Sequence, residues 1–179
     1  MEANRTKLNG CYYFNIKIFL DKRGFFSEIF HQNKYKKLIK KNLIQTNYSF
    51  SKKNVFRGIH FQIKKPQGKL LTIISGKIKD IVIDLRKKSS TFGKIDCVIL
   101  SEKKNQQIWI PPGFGHGFLT LTDNVKIVYQ CTDFYYPQYE RTLSFKDKKF
   151  RKIKKKKNLK ISKKDLLGLS FEEVKKLFK

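Results

Sequence analysis

Short runs with apolar residues at every second position fill the middle of the chain, and turn-forming residues bound each run. Leu70-Leu71-Thr72-Ile73-Ile74, then Ser75-Gly76-Lys77, then Ile78 to Leu85 predict two strands joined as a hairpin around a glycine turn. In the second strand Asp80, Val82 and Asp84 share one face while Ile81, Ile83 and Leu85 share the other. Val98-Ile99-Leu100, Gln107 to Ile110, Gly117 to Leu121 and Lys126 to Cys131 predict further strands. Thr91-Phe92-Gly93, Pro111-Pro112-Gly113 and Thr122-Asp123-Asn124 separate them, with Pro112-Gly113 suited to the centre of a type II turn. Many short, evenly spaced strands imply an all-β sandwich or a closed barrel of the jelly-roll kind.

Helical spacing occurs at two places. Tyr35, Leu38 and Ile39 predict a short helix within Gln32 to Lys41, and Ser170 with Glu173 is a capping-box pattern opening a helix to about Lys179. At 179 residues the chain is expected to be a single domain over 1–179. About 6–145 would form the barrel, and 146–179 a basic connection and helical tail.

Composition narrows the class. No apolar run reaches membrane-spanning length and Met-Glu-Ala-Asn-Arg lacks a secretion signal, so a cytoplasmic location is expected with no membrane partner. Cys11, Cys97 and Cys131 have no metal spacing and are expected to be buried free thiols. The formal charge of +27 invites a nucleic-acid reading, centred on the twelve basic residues between Lys146 and Lys164. Yet only six of the 41 basic residues are Arg, so a solvated lysine surface accounts for the charge and no specific nucleic acid is expected. In such a chain Arg23 and Arg57 stand out, because a planar guanidinium matches a phosphate in a way an ammonium does not.

The candidate chemistry centres on two glycine-framed histidines, in Arg57-Gly58-Ile59-His60-Phe61-Gln62 and Pro112-Gly113-Phe114-Gly115-His116-Gly117-Phe118. The glycines leave room for a ligand or another backbone to come close. Strict alternation turns Arg57 and His60 to opposite faces; a bulge at Gly58 turns both inward. Gln62 stands where a second His would complete a metal-binding His-x-His, so no metal is expected. A lysine facing into a barrel, as Lys69 would, is costly unless paired or used. Tyr129 shares a face with Ile127 and Cys131. Taken singly each fits a structural role: a core histidine, a surface lysine, a core tyrosine. Together they supply a base, a cation and a phenol suited to moving protons beside a carbonyl.

The order of motifs is more specific than any one of them. Asp21-Lys22-Arg23-Gly24-Phe25-Phe26-Ser27-Glu28, Gln45-Thr46-Asn47, the two histidine segments, Gln67-Gly68-Lys69-Leu70, Tyr129, Glu140 and Ser162-Lys163-Lys164-Asp165 follow one another along the chain. From about Thr6 to Leu167 this closely resembles the dTDP-4-dehydrorhamnose 3,5-epimerases of the cupin superfamily. The resemblance implies a metal-free cupin-type jelly-roll barrel with a short helix after the N-terminal strands, usually a homodimer, acting without a cofactor. It implies conversion of dTDP-4-dehydro-6-deoxy-D-glucose to dTDP-4-dehydro-L-rhamnose, a step toward dTDP-L-rhamnose for cell-surface polysaccharide. By match to the family pattern His60 is the base, Asp165 its orienting carboxylate, Tyr129 the opposing acid and Lys69 the group beside the ketone oxygen. Arg23, Phe26, Glu28, Gln45, Thr46, Asn47, Arg57, His116, Glu140 and Lys164 fall on substrate-contact positions, and Tyr135 on the base-stacking position. Phe134 and Ser144-Phe145-Lys146-Asp147 depart from the pattern without touching the proton-transfer residues. The rivals are an enzyme that epimerises carbon 3 alone, a 3,4-ketoisomerase, for which Gln62 is the wrong residue, and a non-catalytic nucleotide-sugar-binding cupin.

Overall fold

The structure, a computed structural model, describes residues 2–151, 153 and 158–178. Strands dominate it: β1 (Glu2–Arg5), β2 (Tyr12–Asn15), β3 (Phe19–Asp21), β4 (Gly24–Phe26), β5 (Gln45–Ser51), β6 (Val55–Gln62), β7 (Lys69–Ser75), β8 (Lys77–Asp84), β9 (Ile95–Ser101), β10 (Gln106–Ile110), β11 (Phe114–Thr120), β12 (Val125–Cys131), β13 (Glu140–Thr142) and β14 (Lys160–Ile161). Among the described residues three α-helices accompany them: α1 (Gln32–Tyr35), α2 (Lys163–Leu166) and α3 (Phe171–Leu177). One sheet runs β1-β2-β10-β7-β12-β5, and the other runs β13-β6-β11-β8-β9 with β14 added parallel to β6. This is the expected all-β jelly roll.

Apolar residues are arranged in three layers. Between the sheets, Leu71, Ile73, Ile108 and Ile127 of the first pack on Ile78, Val82, Phe114 and Phe118 of the second. The outer face of the second sheet carries Phe56, Ile59, Ile81, Ile83 and Leu85, and the C-terminal segment covers it with Phe145, Phe150, Phe171 and Val174. A third cluster joins Phe14, Leu70 and Trp109 on the outside of the first sheet to Tyr35 and Ile39. Strands buried on both faces need apolar residues on both, which is why β8 is apolar at Ile81 and Ile83 as well as at Ile78 and Val82. Among the described residues no helix is long and apolar enough to cross a membrane.

The expected hairpin at Ser75-Gly76-Lys77 does not form. β7 belongs to the first sheet and β8 to the second, so the turn carries the chain across the sandwich. The turn amides are satisfied from elsewhere: Gly76 N donates to Glu102 Oε2 at 2.8 Å and Lys77 N to Thr122 Oγ1 at 2.9 Å. Alternation identifies strands but not their partners, because a strand feeding the opposite sheet has the same period as one returning beside its neighbour.

The first helix is also shorter than its spacing suggests. It closes after Tyr35, whose carbonyl accepts from both Leu38 N (2.9 Å) and Ile39 N (2.7 Å). Buried contacts hold the segment instead: Tyr35 Oη donates to Gln107 Oε1 at 2.5 Å, and Gln107 Nε2 donates to Ile29 O and Thr72 Oγ1, each at 2.7 Å. At the other end the capping box forms as expected, with Ser170 and Glu173 bonding reciprocally at the start of α3. Residues 152, 154–157 and 179 of the basic connection and tail lie outside the described residues.

Candidate active site

Gly58 decides which side chains face the interior. His60 of β6 pairs with His116 of β11, and Arg57 pairs with Phe118, so three steps on β6 match two on β11. This is a bulge, with Gly58 at φ +125°. It turns both Arg57 and His60 toward the space between the sheets, where both line an inner cavity of about 190 Å³. The glycines do not open room for a ligand here. A Cβ on Gly58 would lie 2.5 Å from Gly117 Cα, and one on Gly117 would lie 2.6 Å from Arg57 O. They let β6 and β11 approach each other closely enough for the bulge to fit.

An outer cavity of about 310 Å³ shares His60, Lys69 and Tyr129 with the inner one and adds Gln45, Asn47, Tyr135 and Glu140. His60 comes from the second sheet, and Lys69 and Tyr129 from the first. A molecule held between the sheets therefore meets the imidazole from one side and the phenol from the other.

His60 Nε2 lies 2.7 Å from Asp165 Oδ1, a contact joining β6 to α2. Ser162 caps α2 by accepting from Asp165 N at 3.1 Å, and Gly58 N donates to Asp165 Oδ2 at 3.3 Å. Burial pushes the Asp165 carboxyl up, but the His60 bond and charge, with the Gly58 and Ser162 bonds, hold it below the usual carboxylate range. An ionised carboxylate on Nε2 keeps a proton there and leaves Nδ1 free to accept one. Lys69 has no carboxylate partner within ion-pair distance among the described residues, and burial lowers its ammonium pKa against the pull of Cys131, Glu140 and Asp80. Burial, with Cys131 and Glu140, raises the Tyr129 phenol despite Arg57, so it keeps its proton at neutral pH.

A second histidine–carboxylate pair lies deeper. His116 Nε2 is 2.7 Å from Asp80 Oδ2, and both residues are buried. Asp80 is a site residue that the sequence did not single out. Its alternation with Val82 and Asp84 on one face was visible, but nothing in the order of residues pairs β8 with β11. At the mouth, Glu140 accepts from Tyr135 Oη at 2.9 Å and from Lys164 Nζ. Burial works to raise the Glu140 carboxyl, and these two bonds bring it below its ordinary value. Gln62 is structural: Tyr136 N donates to its Oε1 and its Nε2 donates to Lys65 O, each at 2.8 Å, tying down the loop that carries Tyr135.

Five of the sequence-derived contact residues, Arg23, Phe26, Glu28, Thr46 and Lys164, fall outside these two cavities. Thr46 alternates outward on β5 and is exposed. Arg23 and Phe26 sit on the β3–β4 hairpin, with the Arg23 side chain 85% exposed and ion-paired to Asp21. Glu28 follows that hairpin and pairs with Lys34 at 2.5 Å. Lys164 and Asp165 line a groove on the other side of His60, together with Arg57.

Comparison with known proteins bears on this geometry. The family model described as dTDP-4-dehydrorhamnose 3,5-epimerase matches residues 5–173. A dTDP-4-dehydrorhamnose 3,5-epimerase from Shigella flexneri is 38% identical over 174 residues, 96% of each chain. The crystal structure of a dTDP-6-deoxy-D-glucose-3,5-epimerase from Legionella pneumophila, in complex with dTDP-4-keto-L-rhamnose, superposes with a TM-score of 0.87 at 36% identity, covering 92% of this chain and 89% of that one. A 4-keto-6-deoxy sugar epimerase from the novobiocin cluster of Streptomyces spheroides superposes with a TM-score of 0.91 at 26% identity, covering 98% and 90%.

Proposed function

Because this chain belongs to the dTDP-4-dehydrorhamnose 3,5-epimerase family, we propose that His60, Tyr129, Lys69 and Asp165 perform its proton transfers. The protein is an epimerase of dTDP-4-dehydro-6-deoxy-D-glucose, acting toward dTDP-L-rhamnose. A ketone at carbon 4 acidifies the hydrogens on carbons 3 and 5. His60 removes one through Nδ1, and Asp165 stabilises the imidazolium that results. The negative charge moves to the ketone oxygen, where the Lys69 ammonium is a fixed positive partner. Inversion requires the proton to return on the other face, and Tyr129 is the donor there. Arg57 and Lys164 suit the diphosphate, and Tyr135 the face of the thymine ring.

The observation that carries this reading is the placement of His60–Asp165 and Tyr129 on opposing sheets, with Lys69 on the same cavity wall. A nucleotide-sugar-binding protein has no need of opposed proton carriers. Incubation with dTDP-4-dehydro-6-deoxy-D-glucose in heavy water tests it. Deuterium at both carbons 3 and 5, lost in His60→Ala, is the expected result. Exchange at carbon 3 alone would select the mono-epimerase, and exchange surviving in His60→Ala would remove His60 as base.

The finer reading includes a homodimer. Phe19, Leu20, Phe25 and Phe26 are more than half exposed on the β3–β4 hairpin, which also bears Arg23. Strand β5 is an unpaired edge of the first sheet, with Tyr48 and Phe50 exposed on its outer face. Exposed aromatics beside an open edge suit association. In such a dimer the hairpin of one protomer brings Arg23 and Phe26 to the cavity of the other. Mixing inactive Arg23→Ala and His60→Ala proteins should then restore activity, since a heterodimer holds one site with both residues intact. No recovery on mixing would sink this arrangement.

A further inference from the structure

The inward row of β5 runs Gln45, Asn47, Ser49, Ser51, and three of these four side chains are already engaged. Gln45 Nε2 donates to Asn47 Oδ1 at 3.0 Å, and Asn47 Nδ2 contacts Cys131 Sγ at 3.7 Å. Ser51 Oγ accepts from Arg57 Nε at 3.0 Å, which fixes the guanidinium beside the cavity. Ser49 differs. Its Oγ is buried and has no hydrogen-bond partner among the described residues. It lines the inner cavity with Arg57, His60, Lys69, His116 and Tyr129. Ser49 stands opposite Ile127 on β12, one inward step along from the Asn47–Tyr129 pair.

A buried hydroxyl left without a partner is costly, because it has given up water for nothing. Charged and titratable groups surround this one, and each already has a role in the proposed reaction: Arg57 at the diphosphate, and His60, Lys69, His116 and Tyr129 at the reacting face of the sugar. We propose that Ser49 is a substrate-positioning residue whose hydroxyl bonds a ring hydroxyl of the keto-sugar, on carbon 2 or carbon 3. The assignment rests on the epimerase reading above. The chemistry is specific, since a serine hydroxyl both donates and accepts, as does a sugar hydroxyl. Lys69 and His116 provide for the ketone oxygen and the walls provide the base and acid, so the ring hydroxyls are the polar groups still needing a partner at this depth. Such a bond holds the ring in register while His60 and Tyr129 act on it, without Ser49 itself moving a proton.

The test is a cycle that pairs Ser49→Ala with substrates lacking one hydroxyl. Deuterium uptake at carbon 5 is measured for the 2-deoxy and 3-deoxy counterparts as well as the full substrate, since both keep the ketone and the carbon-5 hydrogen. Ser49→Ala should slow uptake into the full substrate about 3- to 10-fold, the scale of one neutral hydrogen bond. On the counterpart missing the bonded hydroxyl the variant and the unaltered protein should run at the same rate, which also names the carbon. An equal slowing on all three substrates would make the role structural and overturn the proposal. So would unchanged uptake into the full substrate. No uptake by the unaltered protein would bring down the epimerase reading, and this assignment with it.

Discussion

Asp165→Asn separates the charge of the His60 partner from its shape. The amide has nearly the same volume, and the Ser162 cap is made to the backbone of residue 165, so α2 keeps its start. What changes is the field at the imidazole as it takes a proton, together with the longer Gly58 N bond to Oδ2 at 3.3 Å, which an amide NH2 cannot accept. With Nε2 and Oδ1 at 2.7 Å, the charge centres lie roughly 4 Å apart. At an effective dielectric of about 20 their attraction is about 4 kcal/mol. A neutral hydrogen bond to Asn recovers about 1 kcal/mol, and imperfect alignment lowers the difference further, leaving about 2–3 kcal/mol. That corresponds to a fall in kcat of about 30- to 150-fold. Asp165 does not line either cavity, so KM should change by less than about threefold, since ground-state binding is untouched. The assay is steady-state turnover alongside deuterium uptake at carbons 3 and 5, read by proton NMR. Because Tyr129 remains, inversions per exchange should not change. A kcat within about threefold of the unaltered protein would refute the reasoning, since His60 would then take its proton without needing the carboxylate.

Three further outcomes follow from the same geometry. Tyr129→Phe should still admit deuterium at carbons 3 and 5 while inversion falls about 100-fold, because the base survives and the donor on the opposite wall does not; full inversion by this variant, seen in product NMR, would reassign the acid. Asp80→Asn replaces a charge-assisted bond to His116 with a neutral one, and kcat/KM should drop about tenfold; a drop confined to thermal stability would make the inner pair structural. Asp84 lies in a buried network away from the site, bonded to Arg86, Ser89 and Thr91. Burial opposes its ionisation but these bonds bring its pKa from 3.8 to about 2. A depressed carboxylate contributes stability above its unfolded pKa and loses it as pH falls through the folded one. The advantage of the unaltered protein over Asp84→Asn should therefore shrink by about 2 kcal/mol between pH 4 and pH 2 in urea unfolding, and a constant gap would contradict it.

The strands were legible because alternation is a local property, and so were the capping box at Ser170 and the turn before β11. The bulge at Gly58 was legible for a different reason. Arg57 and His60 are three apart, and only an extra residue lets both face inward on a strand. Partners were not legible. Asp80 looked like one of three alternating positions on one face of β8, and its bond to His116 exists only because β8 and β11 are neighbours in the second sheet. Ser49 and Ser51 are two serines two residues apart that the sequence does not mark as candidates, and only the docking of Arg57 onto Ser51 distinguishes them.

The two glycine-framed histidines show where the physics divides the site. Each is held at Nε2 by a carboxylate at 2.7 Å, yet their exposures differ. The His60 side chain is 31% exposed and faces both cavities, whereas that of His116 is 8% exposed and faces only the inner one. A base must reach hydrogens on two carbons of one ring, which demands access. A group that only holds an oxygen in place does better enclosed, where its hydrogen bond competes with less water. The difference in exposure therefore supports the proposed assignment of proton abstraction to His60 and of fixed contact with the substrate to His116. The bulge that admits Arg57 beside His60 has no counterpart on β11, where regular pairing with β8 holds His116 against Asp80.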